Sequence, residues 1–154
     1  MPIDKLPAPE ECNCFAVRAA ARHITQAYDQ FLAPTGLRTT QFSILAKLKR
    51  RGPLTINLLA DDMVMDRTTL GRNILPLECD GLIRIAPAAS DRRARELHLT
   101  EAGEKLFEAA RKQWSAAQAR FETGYGAERA ADLRNSLRAV VASEFAPGGR
   151  SSAP

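Results

Sequence analysis

Three arginines stand close together at the start of the stretch SDRRARELHLT, residues 90–100, between two short runs in which apolar and polar residues alternate. Alternation with a period of two predicts a β-hairpin, so the arginines fall at its tip. Guanidinium groups at an exposed tip repel one another, whereas a phosphate chain or a narrow minor groove stabilises them. We expect Arg92, and then Arg93, to contact DNA, while Asp91 orients the loop by pairing with Arg93 or Arg95. A solvated loop is the alternative interpretation.

The stretch before the hairpin, DRTTLGRNILPLECDGL, predicts a helix with one apolar and one polar face. At about 100° per residue, Leu70, Ile74 and Leu77 share the inward face. Hydroxyls and guanidiniums occupy the opposite face in the first half of the helix, the half that contacts base edges and phosphates when a helix docks in a major groove. An ordinary surface helix also fits this pattern, but the neighbouring hairpin favours DNA. The candidate contacts are Arg67, Thr68, Thr69, Arg72 and Asn73.

The positive charge of the chain is concentrated in its middle. The 154 residues carry a formal charge of +4, and residues 38–99 contain 11 basic and 7 acidic side chains, whereas both flanking segments are close to neutral. A basic middle favours a polyanionic partner. No apolar run approaches the ~20 residues of a membrane span, and the N-terminal pattern is not that of a secretory signal. The three cysteines are predicted to be reduced thiols of a cytoplasmic protein.

The periodicity of the apolar residues predicts helices on both sides of the hairpin. A first helix covers residues 15–32, and a second begins at Thr39 or Thr40 as its cap. Short third and fourth helices follow caps at Thr55 and Asp66, and a long fifth helix follows Thr100 and ends where Gly124 and Gly126 interrupt it before a sixth. The predicted fold class is mainly α with a small β-hairpin wing (α+β), which is a winged helix-turn-helix with additional helices.

The stretch from Asp66 to Leu106 resembles the MarR family of bacterial transcriptional regulators. The wing motif of the family is matched by Asp91-Arg92-Arg93, Leu97, Leu99-Thr100 and Gly103. The resemblance covers roughly residues 15–145, and it implies a homodimer that binds a pseudo-palindromic operator in double-stranded DNA, usually as a repressor. It also implies a division into a helical dimerisation region, residues 10–36 and 101–146, and a winged helix-turn-helix DNA-binding lobe, residues 37–100. We expect the tail, residues 147–154, to be disordered, because it is rich in Pro, Gly and Ser.

Members of this family release DNA when a small aromatic acid binds or when a cysteine is oxidised, and the chain offers candidates for both triggers. Cys12 and Cys14 lie at the predicted start of the first helix, where the helix dipole favours thiolate. A disulfide between them would be strained, so a bridge between subunits or to another thiol is favoured, and inert residues are the alternative. Cys79 is predicted to be a buried small hydrophobe. An aromatic effector pocket is predicted from Tyr28, Phe31 and Trp114, which suit an ordinary core equally well.

Other classes of protein fit the residues less well. The chain has no Ser/His/Asp or Cys/His arrangement at interpretable spacing and no glycine-rich phosphate loop, so we expect no enzyme activity, cofactor or metal. His98 alternates with two leucines and is therefore expected to be a solvent-facing strand residue. The alternative function is a winged-helix protein-interaction module that does not bind DNA, but such a module has no need for Arg92 and Arg93 beside the Thr68 and Arg72 face.

Overall fold

The computed structural model describes residues 8–145, and in this part of the chain helices predominate. Their bounds are α1 (Asn13–Leu32), α2 (Thr39–Arg51), α3 (Ile56–Asp62), α4 (Arg67–Cys79), α5 (Glu101–Tyr125) and α6 (Ala127–Ala142). The strands are β1 (Leu54–Thr55), β2 (Ile83–Pro87) and β3 (Arg95–Leu99), and they form one antiparallel sheet in the order β1-β3-β2. The predicted fold class, mainly α with a small hairpin wing, is confirmed. The tail predicted for residues 147–154 lies outside the described residues.

Three of the predicted helix caps, Thr55, Asp66 and Thr100, are confirmed, and the cap predicted at Thr39 or Thr40 is wrong. Thr55 Oγ1 accepts a hydrogen bond from the N–H of Leu58, and Asp66 Oδ1 accepts one from the N–H of Thr69 at 2.8 Å, so α3 and α4 begin where their cap residues predict. α2 instead includes Thr39 as its first residue, and Asp29 of α1 accepts hydrogen bonds from both its N–H and its hydroxyl, each at 2.7 Å. The cap of α2 therefore comes from another helix.

The turn between α3 and α4 contains a strained residue. Val64 has a φ of 53°, and Met65 donates its N–H to the carbonyl of Ala60, so the chain leaves α3 through a left-handed residue. This conformation is unfavourable for a β-branched side chain. The chain thus passes from α3 to α4 through a short turn that begins at Met63 and ends at the cap residue Asp66.

The apolar faces of α2, α3, α4 and the hairpin pack into one core with the first half of α5. The inward positions predicted for α4 are confirmed, because Leu70, Ile74 and Leu77 are all buried. Phe42 of α2 stacks on Phe107 of α5 with 5.3 Å between the ring centroids. Burial of each large side chain stabilises the fold by roughly 1.5–3 kcal/mol, so this core fixes α4 firmly relative to the sheet. Other members of the cluster are Ile44, Leu45, Leu48, Leu59, Ile83, Leu97 and Ala110.

The wing has the predicted alternation of faces and one additional strand. Ile83 pairs with Leu99 and Ile85 with Leu97, so the apolar residues of β2 and β3 share one face as the alternation predicts. β1 also pairs with β3, with Leu54 opposite Leu97. Sequence periodicity missed β1 because a strand of two residues carries no readable pattern.

The base of the wing is joined to the start of α5 through a glycine. The N–H of Thr100 donates to the carbonyl of Leu82 at 3.1 Å, and its hydroxyl donates to the carbonyl of Gly81 at 2.6 Å. The same hydroxyl accepts from the N–H of Gly103 at 3.0 Å and so caps α5 as predicted. A Cβ at Gly103 would lie 2.0 Å from the carbonyl oxygen of Leu82, so only glycine allows this close approach.

The described residues divide into two compact units, one up to Ala117 and one from Gln118 onward. In the second unit the ring of Tyr125 stacks on Phe121 and lies 4.3 Å from the guanidinium of Arg129. α5 continues through Gly124 and ends at Tyr125, so the prediction that Gly124 interrupts it is wrong, whereas Gly126, with a φ of 103°, separates α5 from α6. Within residues 8–145 no helix combines the length and apolar content that crossing a membrane requires.

Candidate nucleic-acid interface

The exposed face of α4 carries the side chains predicted to contact DNA. The buried residues Leu70, Ile74 and Leu77 fix the rotation of the helix, and the opposite face of its first half is therefore turned to solvent. Arg67, Thr68, Thr69 and Arg72 are exposed, and Asn73 is half-buried. All five lie within the first seven residues of α4, at the end of the helix that begins after the turn.

Two of these five side chains are already engaged within the helix. Thr69 donates its hydroxyl to Asp66 Oδ2 at 2.7 Å, and Asn73 donates from Nδ2 to the carbonyl of Thr69 at 2.9 Å. The hydrogen bonds from Thr69 hold the pKa of Asp66 below its usual value, because they favour the ionised carboxylate. Asn73 would have to give up a backbone contact to bind adenine in the bidentate manner. Arg67, Thr68 and Arg72 form no side-chain hydrogen bond or ion pair with any other residue in the range 8–145.

Gly71 lies on α4 with open space around it. An added Cβ would meet no protein atom within 4 Å, so nothing in the described part of the chain requires a glycine at this position. Gly71 lowers the stability of the helix by roughly 1 kcal/mol relative to alanine. Its place beside Thr68 and Arg72 leaves space in which another backbone or a base could approach closely.

The tip of the wing is held by backbone hydrogen bonds. Asp91 Oδ1 accepts from the N–H of Arg93 at 2.9 Å, and the carbonyl of Asp91 accepts from the N–H of Ala94 at 3.1 Å. The expected ion pair of Asp91 with Arg93 or Arg95 is absent among the described residues, because the carboxylate closes the turn locally instead. Asp91 therefore forms hydrogen bonds within the loop, and Arg92 and Arg93 stay exposed.

Ion pairs separate the basic residues of residues 38–99 into two groups. On α2, Lys49 pairs with Glu104, Arg51 with Asp62, and Arg38 lies 3.8 Å from Asp29. The pKa of Lys49 is raised by its hydrogen bond to Glu104 and by the charge of that carboxylate. No ion pair within residues 8–145 involves the arginines of α4 and the wing, which are Arg67, Arg72, Arg84, Arg92, Arg93 and Arg95. Of the basic residues in 38–99 without such an ion pair, Lys47 and Arg50 lie on α2 and the other six lie on α4 and the hairpin.

A concavity between α3, α4 and the wing brings predicted and unpredicted residues together. It has a volume of about 200 Å³, and we call it the arginine notch, defined by its lining residues Ile56, Asn57, Arg67, Arg93, Ala94 and Arg95. Arg67 and Arg93 were expected at the interface, but Asn57 was missed, and Arg95 was considered only as a partner for Asp91. The alternation of β3 makes Arg95 a surface residue, whereas no sequence signal indicates Asn57, because its position depends on the pairing of β1 with β3.

Cys12, Cys14 and the predicted effector residues lie outside α4 and the wing, whereas Cys79 is the last residue of α4. Cys12 immediately precedes α1 and Cys14 lies in its first turn, both exposed, as the prediction requires. Cys79 is also exposed, so the prediction that it is buried is wrong: at 100° per residue it falls about 180° from Leu70 on α4. Among the effector candidates, Trp114 stacks on Phe42 with 6.0 Å between centroids. Tyr28 and Phe31 are half-buried residues of α1.

Metal-ligating side chains do not cluster in the described part of the chain. Among residues 8–145, no three His, Cys, Asp or Glu side chains are grouped so that they could hold a metal ion. His98 Nε2 lies 2.9 Å from a carboxylate oxygen of Glu96 on the outer face of β3, and both side chains are about one fifth exposed. This pair faces away from the apolar side of the sheet, as the alternation of β3 predicts.

Comparison with known sequences gives matches across the lobe that contains α4 and the wing. A model of the MarR family matches residues 37–94. An HTH-type transcriptional regulator of Methylorubrum extorquens, TtmR, is 32% identical over 93 residues, which cover 60% of this chain and 48% of TtmR. An organic hydroperoxide resistance transcriptional regulator of Bacillus subtilis is 29% identical over 97 residues, which cover 63% of this chain and 66% of that protein. The alignments thus span between about half and two thirds of these relatives.

Comparison with solved structures extends the similarity over most of the chain. The M. tuberculosis transcriptional regulator MosR is 35% identical, and the alignment covers 88% of this chain and 100% of that one with a TM-score of 0.75. MosR in complex with DNA is 36% identical over the same share of both chains, with the same TM-score. The match therefore includes helices outside residues 37–94 as well as the winged lobe.

Proposed function

The chain belongs to the MarR family, and we propose that it is a homodimeric, sequence-specific DNA-binding transcriptional regulator that acts as a cytoplasmic repressor. In this proposal α4 enters the major groove with Arg67, Thr68 and Arg72 toward the DNA, and the wing reaches the minor groove through Arg92 or Arg93. Thr69 and Asn73 take part mainly by fixing the start of α4, in keeping with their hydrogen bonds inside the helix. The lobe would comprise residues 37–100.

The observation that carries this proposal is the set of arginines without counter-charges on α4 and the wing. Arg38, Lys49 and Arg51 pair with carboxylates, whereas the exposed arginines of α4 and the wing have no ion pair within residues 8–145 and can attract a polyanion. The MosR structure with DNA supports the same partner, since MosR is 36% identical to this chain. The alternative of a protein-interaction module leaves these guanidiniums without a function.

DNA binding is tested by fluorescence anisotropy with a duplex taken from the region upstream of the chain's own gene. We expect the apparent affinity to fall steeply as salt is raised, because several phosphates are neutralised. Arg92→Ala should weaken binding about tenfold while the thermal melting temperature stays the same, because the side chain is exposed and unpaired. An unchanged binding curve for Arg92→Ala would count against the wing, and no binding by the reduced wild type would count against the whole function.

Exposed apolar residues support a dimerisation region formed by residues 10–36 and 101–146. Phe15 and Val17 of α1 are each 46% exposed, and on α6 Val140 and Val141 are 48% and 62% exposed. Apolar surfaces of this kind are typically covered by a partner subunit. Val141→Glu should therefore shift the protein toward a monomer in sedimentation equilibrium, whereas Arg138→Glu on the same helix should not. A Val141→Glu variant with the mass of a dimer would contradict this surface.

Release from DNA is proposed to follow either cysteine oxidation or the binding of a small aromatic ligand. Cys12 and Cys14 are exposed at the start of α1, and the Bacillus subtilis relative is a regulator of organic hydroperoxide resistance. A double Cys12→Ser, Cys14→Ser variant should keep its DNA affinity after organic hydroperoxide treatment that inactivates the wild type, and Cys79→Ser is the matched control. If the double variant still responds, the thiol trigger is wrong.

The ligand trigger is tested through the single tryptophan. Trp114, Tyr28 and Phe31 are the candidate residues for an aromatic pocket, and the stacking of Trp114 on Phe42 makes its fluorescence sensitive to changes there. A small aromatic acid that releases DNA should also quench Trp114 with the same concentration dependence. Release without any change in Trp114 emission would place the effector elsewhere.

A further inference from the structure

Three arginine residues from α4 and the wing line the arginine notch. Arg67, Arg93 and Arg95 line the notch, are exposed, and have no ion-pair partner within residues 8–145. Guanidinium groups that share a concavity repel one another, and an anion between them removes that repulsion. The carboxylate of Asp62 pairs with Arg51 and that of Asp91 accepts from the backbone of Arg93, so a ligand is the available source of an anion for the notch.

Local interactions hold the notch residues in place. Arg67 is the first residue of α4, directly after the cap formed by Asp66. The hydrogen bond from the N–H of Arg93 to Asp91 fixes the backbone of the wing tip. Asn57 lies at the start of α3, which follows β1, and the pairing of Thr55 with Glu96 places that start beside Arg95. At the start of α3, the start of α4 and the wing tip, a backbone N–H donates to a side-chain oxygen, that of Thr55, Asp66 and Asp91 respectively.

The chemistry of the lining residues fits one phosphate group. Guanidinium groups bind phosphate oxygens in a bidentate manner, and an amide such as that of Asn57 adds a neutral donor. We infer that the notch seats a single backbone phosphate of the bound DNA, where the strand passes between the groove that holds α4 and the groove beside the wing. This inference rests on the proposed function, and it adds Arg95 and Asn57 to the residues that contact DNA.

The salt dependence of DNA binding measures how many backbone phosphates the three arginines of the notch neutralise. A combined R67Q, R93Q and R95Q variant should lower the slope of log affinity against log salt by about 0.9 per protomer if the three arginines share one phosphate, and by about 2.7 if each has its own. A matched control, K105Q, R111Q and K112Q, removes the same three charges from exposed positions on α5 and should leave the slope unchanged. A decrease near 2.7, or none, would overturn the shared phosphate.

Substitutions of Asn57 test whether a neutral side chain contributes to DNA binding in addition to the charged arginines. Asn57→Ala should weaken DNA binding about tenfold without changing the salt slope, because it removes a hydrogen bond to a charged group but no charge. Asn57→Asp should weaken binding more, since its carboxylate would repel the phosphate. Equal affinity of wild type and Asn57→Ala would remove Asn57 from the site.

Neutral backbone substitutions identify the phosphate itself. A series of duplexes, each with one methylphosphonate in place of a phosphate, should contain one position in each half of the operator that weakens wild-type binding but no longer affects the triple notch variant. If the triple variant binds weakly and no such position exists, the notch does not hold a backbone phosphate, although the proposed function stands. If the wild type binds no duplex at any salt concentration, both the function and the notch assignment fail.

Discussion

Replacing Gly103 by alanine gives the most direct test of how the wing is attached to α5. The new Cβ would lie 2.0 Å from the carbonyl oxygen of Leu82 and 2.7 Å from Leu99 Cδ1. The side chain of Leu99 can rotate away. The oxygen of Leu82 belongs to the backbone, however, and it also accepts a hydrogen bond from the N–H of Thr100. The start of α5 must therefore move away from the wing by about 1 Å before the contact becomes tolerable.

The cost of this movement follows from the contacts that it disturbs. Overpacking of a filled site costs about 1–3 kcal/mol, and weakening the hydrogen bond from Thr100 to Leu82 costs about 1 kcal/mol more. The gain in helix propensity from glycine to alanine returns roughly 1 kcal/mol. We expect a net loss of about 1–3 kcal/mol in the free energy of unfolding.

Urea denaturation followed by circular dichroism measures this loss, with all variants at one protein concentration because the proposed dimer makes stability depend on concentration. Gly124→Ala is the matched control: it lies in the same helix, its Cβ would meet no atom within 4 Å, and it should stabilise the protein by up to about 1 kcal/mol. The two glycine-to-alanine substitutions should thus change the free energy of unfolding in opposite directions. A Gly103→Ala variant as stable as the wild type would refute the close packing of α5 on the carbonyl of Leu82.

Three further predictions concern α4 and the turn before it. Val64→Gly should raise the free energy of unfolding by about 1 kcal/mol, because it relieves a φ of 53° at a β-branched residue whose side chain is 56% exposed, and a lower melting temperature would contradict this. Asp66→Asn should remove one source of the pH dependence of stability. The pKa of Asp66 in the folded protein lies below its usual 3.8, so the ionised carboxylate stabilises the fold fully above pH 3.8, and this stabilisation is lost as the pH falls through the folded pKa. The difference in stability between wild type and Asp66→Asn should accordingly shrink in urea titrations below pH 3.8, and a constant difference would argue against the cap as the cause. Gly71→Ala should stabilise the protein by about 1 kcal/mol, since its Cβ meets no protein atom, yet lower DNA affinity in the anisotropy assay if the DNA approaches closely there; unchanged affinity would leave Gly71 without a role in binding.

Local rules account for the parts of the fold that the sequence predicts well. Asp66 and Thr55 cap helices whose N–H groups lie three residues away, and the alternation from Arg95 to Leu99 sets the faces of β3. Some of the errors occur where a residue of another element changes the outcome. Asp29 caps α2 from ten residues away, and β1 is a strand only because β3 lies beside it. Asp91 shows a local error, since its carboxylate closes the turn instead of pairing with a guanidinium.

The sequence by itself determined the order of helices and hairpin, the apolar face of α4 and the presence of arginines on the wing, because each depends on spacing within a few residues. Only the tertiary structure decided which positive charges remain unpaired, since Lys49 finds Glu104 55 residues along the chain. It also decided that Asn57, Arg67, Arg93 and Arg95 line one notch. Side chains from separate elements meet only after the core has packed. The pattern of residues along the chain does not give the distances between such side chains in space.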